Sequence, residues 1–302
     1  MTAGSPGHVW VNGSIVAADA PHLSAFDRGF QLGDGIFETL RARGGRVTEL
    51  AEHAARLRRS ADGLGIELPA TLEAMLPAAI SELLASEGLG GPHGDASLRI
   101  TVSRGSWPSR GLLPPRDEHL AATIVIQAWP VAPPPPDHLE RGLALVASSV
   151  RRDPQNPIVT LKTTSRADYV FARLEARRAG ADDALFLTLS GHLSEATTAN
   201  VFLVRQAADG ATELATPSLE CAILPGTTRS WLIRWAGGVG LRPVEAWLEP
   251  AELARADEAF VCSSVAGVLP VTRFDGRPVG TGLPGPWTIR ARADRERFIV
   301  GG

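Results

Sequence analysis

The sequence predicts an α+β protein of two domains. Three observations carry that expectation. The chain has 302 residues, about twice a common domain length of roughly 100–200. Four consecutive prolines, Pro133 to Pro136, stand near its middle, and such a tract is stiff and extended. On either side, strand-like apolar segments joined by turns alternate with segments of helical periodicity. The expected division is 1–130 as a small α+β domain, 131–137 as a linker without secondary structure, and 138–302 as a larger, cofactor-binding domain.

The elements follow in order. VWVNGSIV reads as strand, turn and strand, with Asn12-Gly13 at the turn. FETLRARGGRVTEL repeats the pattern around Gly44-Gly45. From Glu49 to Leu64, Leu50, Ala54, Leu57, Ala61 and Leu64 recur every three or four positions, which makes a helix. A second helix is expected over Leu72–Leu84, then strands in SLRITVSRG and LAATIVIQAW. Beyond the prolines, GLALVASSV is a strand. Ile158, Val159 and Leu161 suggest another, buried one, and a helix should run from Arg166 to Gly180 with Tyr169, Val170, Leu174 and Ala179 at helical spacing. Strands at Ala184–Leu189 and Asn200–Arg205, a helix at Arg229–Val239, and strands at Glu258–Cys262 and Val268–Thr272 complete the pattern. The tail reads as a loop and a short terminal helix. No internal repeat is evident.

Composition removes several function classes. At 44% hydrophobic and 21% charged the chain can bury a core. Its net charge of −3 is the wrong sign for a general nucleic-acid binder. Its longest apolar runs, such as Leu120–Ala128, are far shorter than the ~20 residues of a membrane span. Met1–His8 carries no charged start and apolar stretch of a secretory leader. Two cysteines, Cys221 and Cys262, make neither a disulfide framework nor a four-thiolate zinc site. The expectation is a soluble cytoplasmic protein without a metal.

One count is more informative. Of 30 basic residues, 29 are arginine and one, Lys162, is lysine. Arginine replaces lysine wherever a solvated charge suffices. It cannot replace an amine that must attack a carbonyl, because the guanidinium stays protonated. A lone lysine therefore points to Schiff-base chemistry with an aldehyde cofactor such as pyridoxal phosphate, or with a carbonyl substrate. Chance survival of one surface lysine is the alternative. Lys162 ends an apolar run just before Thr163-Thr164-Ser165, a place from which a side chain reaches a cleft.

Pyridoxal phosphate makes further demands. Its ring nitrogen needs an acid, and Glu195, between a turn and the apolar strand VFLV, is the best candidate. Its phosphate needs N–H groups, hydroxyls and an arginine. Gly226, Thr227 and Thr228 precede a helix and offer the first two; Ser263-Ser264, closing the strand EAFVC, offers hydroxyls as well. For the arginine, composition does not choose among Arg56, Arg58 and Arg59. Each feature alone also fits an ordinary cap, loop or solvated helix face.

Taken in order, DRGFQLGDGIFETLR (27–41), EHAARLRRSADGLGI (52–66), LKTTSRADY (161–169), GHLSEATTANVF (191–202), LPGTTR (224–229) and ADEAFVCSSVAGVLPV (256–271) resemble the fold type IV family of pyridoxal-phosphate enzymes. That family holds branched-chain aminotransferases, D-amino acid aminotransferases, (R)-selective amine transaminases and aminodeoxychorismate lyases. The similarity runs from Val9 to about Gly280. It implies a small α+β domain and a larger pseudo-barrel domain with the site between them, and a homodimer in which a partner loop completes each site. It implies that Lys162 is the Schiff-base lysine, Glu195 the partner of the pyridine nitrogen and Arg56 the phosphate arginine. Thr227, Thr228 and Ser264, with Gly226 and Ser263, take the other phosphate contacts. It further implies that Lys162, displaced by the substrate amine, moves the Cα proton, and that a keto acid then reverses the sequence.

Within the family the indications divide. Ala167 stands five residues after Lys162, where the branched-chain enzymes place a tyrosine, and Tyr169 is the chain's one tyrosine. FETLR, SLRITVSRG and the small polar residues before Arg166 look closer to the lyase and D-amino acid groups. Thr39 matches a lyase threonine suited to proton transfer. Phe37 stands where the D-amino acid enzymes usually have tyrosine, and their R-x-H carboxylate motif is absent. Arg28, Arg41, Arg99, Arg104 and Arg166 are candidate carboxylate binders; Arg99, on an apolar strand, should face a pocket or an acid. Phe37, Thr39, Arg99 and Arg166 are expected to meet substrate, and Arg110 lies in a loop, SWPSRGLLPPRD, suited to reach a site. The expectation is a transaminase for D-amino acids or (R)-amines. The alternative is a lyase forming 4-aminobenzoate and pyruvate, and a branched-chain aminotransferase is least favoured. A non-catalytic homologue would lack the lysine or the acid. An aldolase-like enzyme would leave the GTT turn and Glu195 unexplained.

Overall fold

The computed structural model describes residues 5–301; residues 1–4, part of the stretch read above for a leader, and residue 302 lie outside them. Two compact units form, one of Met1–Ala132 with Leu161–Arg166, the other of Pro133–Thr160 with Ala167–Gly302.

The first unit is a six-stranded antiparallel sheet backed by helices. In chain order come β1 (His8–Val11), β2 (Ser14–Ala17), α1 (Arg28–Leu32), β3 (Gly35–Arg43), β4 (Arg46–Val47), α2 (Leu50–Leu64), α3 (Leu72–Ser86), β5 (Asp95–Ser103) and β6 (Thr123–Pro130). The strand order is β2-β1-β6-β5-β3-β4. Alternation splits the sheet cleanly. Ile36 and Leu40 of β3, and Ala96, Leu98, Ile100 and Val102 of β5, join Leu57, Ala61, Leu76, Ile80, Leu83 and Leu84 of α2 and α3 in one core. The opposite face of the same strands therefore carries Phe37, Thr39, Arg99 and Thr101, with Phe37 opposite Thr101 and Thr39 opposite Arg99. The short α1 was not legible as a helix; the Asp27 side chain accepts from Gly29 N at its start, and Gly33, at φ 65°, ends it.

Leu161–Arg166 was expected in the second domain. Hydrogen bonds attach it to the first unit instead: Phe37 N to Lys162 O (2.9 Å), Thr164 N to Gly35 O (2.8 Å) and Lys162 N to Ser60 Oγ (3.1 Å). Ile36 and Thr163 form an isolated β-bridge. The expected strand at Ile158–Leu161 does not form. Asn156 turns the chain there, its side chain accepting from Ile158 N and its carbonyl from Val159 N.

The second unit adds α4 (Pro136–Glu140), β7 (Leu143–Arg152), α5 (Ala167–Arg178), β8 (Asp183–Thr188), β9 (Leu193–Ala196), β10 (Asn200–Gln206), β11 (Thr212–Pro217), α6 (Thr227–Gly238), β12 (Arg242–Ala246), α7 (Pro250–Arg255), β13 (Glu258–Ser263), β14 (Gly267–Phe274), β15 (Arg277–Pro278) and α8 (Pro286–Gly301). Its nine strands run β12-β11-β10-β13-β14-β7-β8-β9, with β15 on β14. Residues from β7 to β14 converge on one core, among them Leu145, Leu185, Leu193, Val201, Leu203, Val261 and Val271. Strands so far apart in the sheet share that core because the sheet curls, as the pseudo-barrel expectation requires. The other faces of β10 and β13 send Phe202, Val204 and Phe260 outward against Leu232 and Ala236 of α6 and Ala291 of α8.

Three smaller expectations are corrected. The linker is not devoid of structure, since Pro136 opens α4, where its fixed φ suits a first helical position. Helix α5 buries Ala172 and Ala176 against Ala184 and Phe186, while Val170 and Leu174 are exposed; flat alanines allow close helix–strand packing that the larger residues do not. The terminal helix forms as expected but is not short, with 16 residues. Among the described residues no helix is long and apolar enough to cross a membrane.

Candidate active site

In the first unit Lys162 leaves the turn beside β3, on the sheet face that bears Phe37. Its Nζ lies 4.6 Å from the centre of the Phe37 ring. The guanidinium carbon of Arg99 lies 3.8 Å from the same centre and that of Arg166 5.7 Å. One buried ring thus gathers the amine and two guanidinium groups. Arg99 Nε donates to Thr101 Oγ1 at 3.1 Å, and among the described residues no carboxylate meets it. Burial, and then the like charge of Arg166, push the Arg99 guanidinium below its ordinary value. Concentrated positive charge beside an amine is suited to an anionic substrate. Thr39 lies in register with Arg99 on this face.

Arg56 stands on the helical side of the same sheet. Its Nε and Nη2 fork onto Glu38, which also lies 2.6 Å from His53 Nδ1. Burial alone would raise the Glu38 carboxyl, but the hydrogen bonds and charges of Arg56 and His53 outweigh it and bring the carboxyl down to about 2. The fork fixes the plane of Arg56. Arg58 pairs with Glu73 at the surface.

Three other arginine candidates pair with carboxylates of the chain. Arg28 and Arg104 converge on Asp34, each with Nε 2.8 Å from Oδ2. Burial tends to raise Asp34, and these two guanidinium groups more than offset it. Arg28 also donates to the carbonyls of Gly111 and Leu112, which anchors the loop after β5, and lies over Trp107. Arg41 forks onto Asp95.

In the second unit Glu195 is buried on β9. Leu224 N donates to its Oε2 at 2.9 Å, and the Tyr169 hydroxyl to its Oε1 at 3.3 Å. Thr227 and Thr228 are buried in the first turn of α6, where Gly226 is the N-cap and no side chain caps the helix. Thr227 Oγ1 and Ser264 Oγ lie 3.3 Å apart, so the turn between β13 and β14 meets the start of α6. The Ser263 hydroxyl accepts from Ala266 N and shapes that turn. Gly226 is required by packing as much as by any ligand: a Cβ there would fall 2.1 Å from Asn200 Oδ1. Buried Arg295 of α8 donates from Nη2 to Thr228 Oγ1 at 3.3 Å.

These residue types match the chemistry of pyridoxal phosphate. Hydroxyls, a helix N-terminus and a nearby buried arginine suit a phosphate dianion. A buried, hydrogen-bonded carboxylate suits a protonated pyridine nitrogen, and an amine among cations suits covalent attachment. Among the described residues no cluster of three metal-binding side chains occurs. Sequence reasoning missed Glu38, Arg295 and Arg152, which are buried charges on regular elements. Glu38 alone carries a signal, a charge inside the apolar pattern of β3; Arg152 and Arg295 follow or adjoin other charged residues in sequence and carry none.

Comparison with known proteins agrees with this chemistry. The family model described as amino-transferase class IV matches residues 35–274. A protein of Methanocaldococcus jannaschii that carries a branched-chain-amino-acid aminotransferase name is 34% identical over 293 residues, 96% of this chain and 94% of its own. The D-alanine aminotransferase of Bacillus licheniformis is 30% identical over 297 residues, 97% of each chain. The branched-chain aminotransferase of Thermoproteus uzoniensis, solved with norvaline, superposes with a TM-score of 0.85 at 29% identity, over 99% of this chain and 95% of that one.

Proposed function

The chain belongs to the class IV aminotransferases, which use pyridoxal 5'-phosphate, and on that premise we propose that it transfers the amino group of a D-amino acid to a keto acid, with Lys162 as its catalytic residue. Bound to the protein, the cofactor supplies a carbonyl carbon that amines attack and a ring that withdraws electrons. Lys162 Nζ would be the amine that holds the cofactor, and the same Nζ would accept the proton of the substrate Cα and deliver it to the cofactor carbon. Glu195 would pair with the protonated pyridine nitrogen. Thr227, Thr228 and Ser264 would hold the phosphate with the N-terminus of α6, and by the resemblance Arg56, its plane set by Glu38, would be its arginine ligand.

The observation that carries the substrate reading is the set of cations at Phe37. A half-buried guanidinium without a carboxylate is costly, and an amino acid brings that carboxylate where an uncharged amine does not. This favours the amino-acid branch of the expectation over the (R)-amine branch. Ala167 in the place of a tyrosine supports the D series over branched-chain L-amino acids; the likenesses, to a D-alanine aminotransferase and to proteins with branched-chain aminotransferase names, do not choose between them. Thr39, beside Arg99 on the Lys162 face, favours a second reading as a lyase yielding 4-aminobenzoate and pyruvate.

The test is the visible spectrum of the cofactor-loaded protein before and after D-alanine, L-leucine or an (R)-amine, without keto acid. Bleaching of the yellow band by D-alanine with stoichiometric pyruvate supports the proposal. Bleaching by L-leucine or the amine alone replaces the D-amino acid reading. Pyruvate released from aminodeoxychorismate without aminated cofactor establishes the lyase. A protein that never turns yellow overturns the whole scheme.

We propose in addition a homodimer. Phe26, Phe30, Leu32 and Leu112 are exposed in the first unit, with Phe30 77% exposed, and α1 is tied by Arg28 to the Leu112 loop.

A further inference from the structure

Arg152, the last residue of β7, is used by none of the roles above. It is 5% exposed. Its guanidinium carbon lies 4.9 Å from the Tyr169 ring centre and 5.4 Å from that of Phe186, and these two rings meet edge to face at 5.2 Å. Nη1 donates to Asp168 Oδ2 at 3.1 Å. Nη2 lies 3.5 Å from Glu195 Oε1, the oxygen that also accepts from the Tyr169 hydroxyl. Long contacts of 3.4 Å to the carbonyls of Ala222 and Val159 complete its surroundings.

This environment does more than neutralise a charge. An arginine bounded by two aromatic rings and by Asp168 has little rotamer freedom, so its position is determined before any ligand arrives. Glu195 is then fixed at both oxygens, by Leu224 N at Oε2 and by Arg152 with Tyr169 at Oε1. A lysine at 152 would keep the charge but not the planar fork between the rings.

We infer that Arg152 is a positioning residue for Glu195: together with Tyr169 it fixes the carboxylate assigned to the pyridine nitrogen, and thereby sets how tightly the cofactor is held. The inference rests on the Glu195 assignment proposed above. Asp168 and the two rings position Arg152, Arg152 and Tyr169 position Glu195, and Glu195 contacts the cofactor.

A double-mutant cycle read as the dissociation constant of pyridoxal phosphate tests it, with far-UV circular dichroism confirming folding. Arg152→Met should weaken cofactor binding about 10-fold or more in the wild-type background, and less than about 3-fold in a Glu195→Gln background. Arg152→Lys should recover part of the affinity. A general structural effect would weaken binding equally in both backgrounds, and equal losses overturn the inference. Should Arg152→Met not fold, the same cycle with Arg152→Lys decides, by the same criterion of unequal losses. The Glu195 assignment fails separately, if Glu195→Gln alone binds cofactor as the wild type does.

Discussion

Arg56 and Glu38 face each other across the interface of α2 and β3 as a two-pronged pair, Nε to Oε1 at 2.8 Å and Nη2 to Oε2 at 2.6 Å. Neither side chain has appreciable contact with solvent. The pair joins a helix to a strand that carries Phe37 on its other face, so it links the phosphate arginine of the proposal to the substrate face by one strand.

That pair gives the protein an acid-labile point. Glu38 carries a carboxyl brought down to about 2, against about 4.3 in an unfolded chain. A depressed carboxyl contributes stability that is fully present above the unfolded value and is lost as pH falls from there toward the folded one. The contribution is about 3 kcal/mol at neutral pH. The melting temperature should fall steeply between about pH 4.5 and 2. Glu38→Gln should melt lower at pH 7, with a shallower acid limb. An acid limb identical in the variant would remove Glu38 from this role.

Lys162 offers an unusually clean covalent test, since the chain has no other lysine. Borohydride reduction of the cofactor-loaded protein should label the single peptide that contains Lys162, as read by mass spectrometry. Lys162→Ala should lose roughly 10²-fold to 10⁴-fold or more in turnover and should still bind cofactor through the phosphate contacts. Label on any other peptide, or full activity in the variant, contradicts the assignment.

The Arg99 proposal separates substrates by charge. Arg99→Met should raise KM for amino acids by about 10-fold to 100-fold, the effect of one lost charged hydrogen bond. Uncharged amines should be unaffected or improved. Equal changes for both substrate types would show that Arg99 supports the fold and does not bind carboxylate.

Much of this was legible in the sequence because it is local. The α2 periodicity, the hairpins at Asn12-Gly13 and Gly44-Gly45, and the polar turn that opens α6 are all written within a few residues. Lys162 was found by chemistry, not pattern, since the other 29 of the 30 lysine and arginine residues are arginine. Long-range placement was not legible. Nothing in Leu161–Arg166 announces that its backbone bonds to Gly35, Phe37 and Ser60. The apolar Ile158–Leu161 run imitates a strand, and the Asn156 turn takes its place. With 29 arginines in the chain, their order cannot say which are buried. Arg152 and Arg295 became evident through their neighbours in space.

Phe30 tests the homodimer. A large apolar side chain so exposed on a capped, anchored helix is suited to burial against a second copy. Light scattering should give twice 31.9 kDa for the wild type. Phe30→Glu should shift the population toward the monomer, with cofactor binding measured in parallel. A wild-type monomer at micromolar concentration would refute the proposal, as would a variant that dimerises equally well.

Gly226, the N-cap of α6, and Gly237, within it, should respond in opposite ways to the same substitution. At Gly237 nothing lies within 4 Å of a new Cβ, so Gly237→Ala should gain up to about 1 kcal/mol from helix propensity. At Gly226 the backbone is equally permissive, with φ −72°, but the Cβ would strike Asn200 Oδ1. Asn200 must then move, and its Nδ2 would release the Leu224 carbonyl that it holds at 3.0 Å. Leu224 is the residue whose N–H fixes Glu195, so the displacement propagates to the acid as well as to the start of α6. Gly226→Ala should therefore cost about 1–3 kcal/mol of stability and also weaken cofactor binding, whereas Gly237→Ala leaves that binding unchanged. Thermal melts of the apo-protein and cofactor titrations of both variants separate the two effects. If Gly226→Ala melted lower yet bound cofactor normally, Asn200 would support the helix alone and the link through Leu224 to Glu195 would be broken.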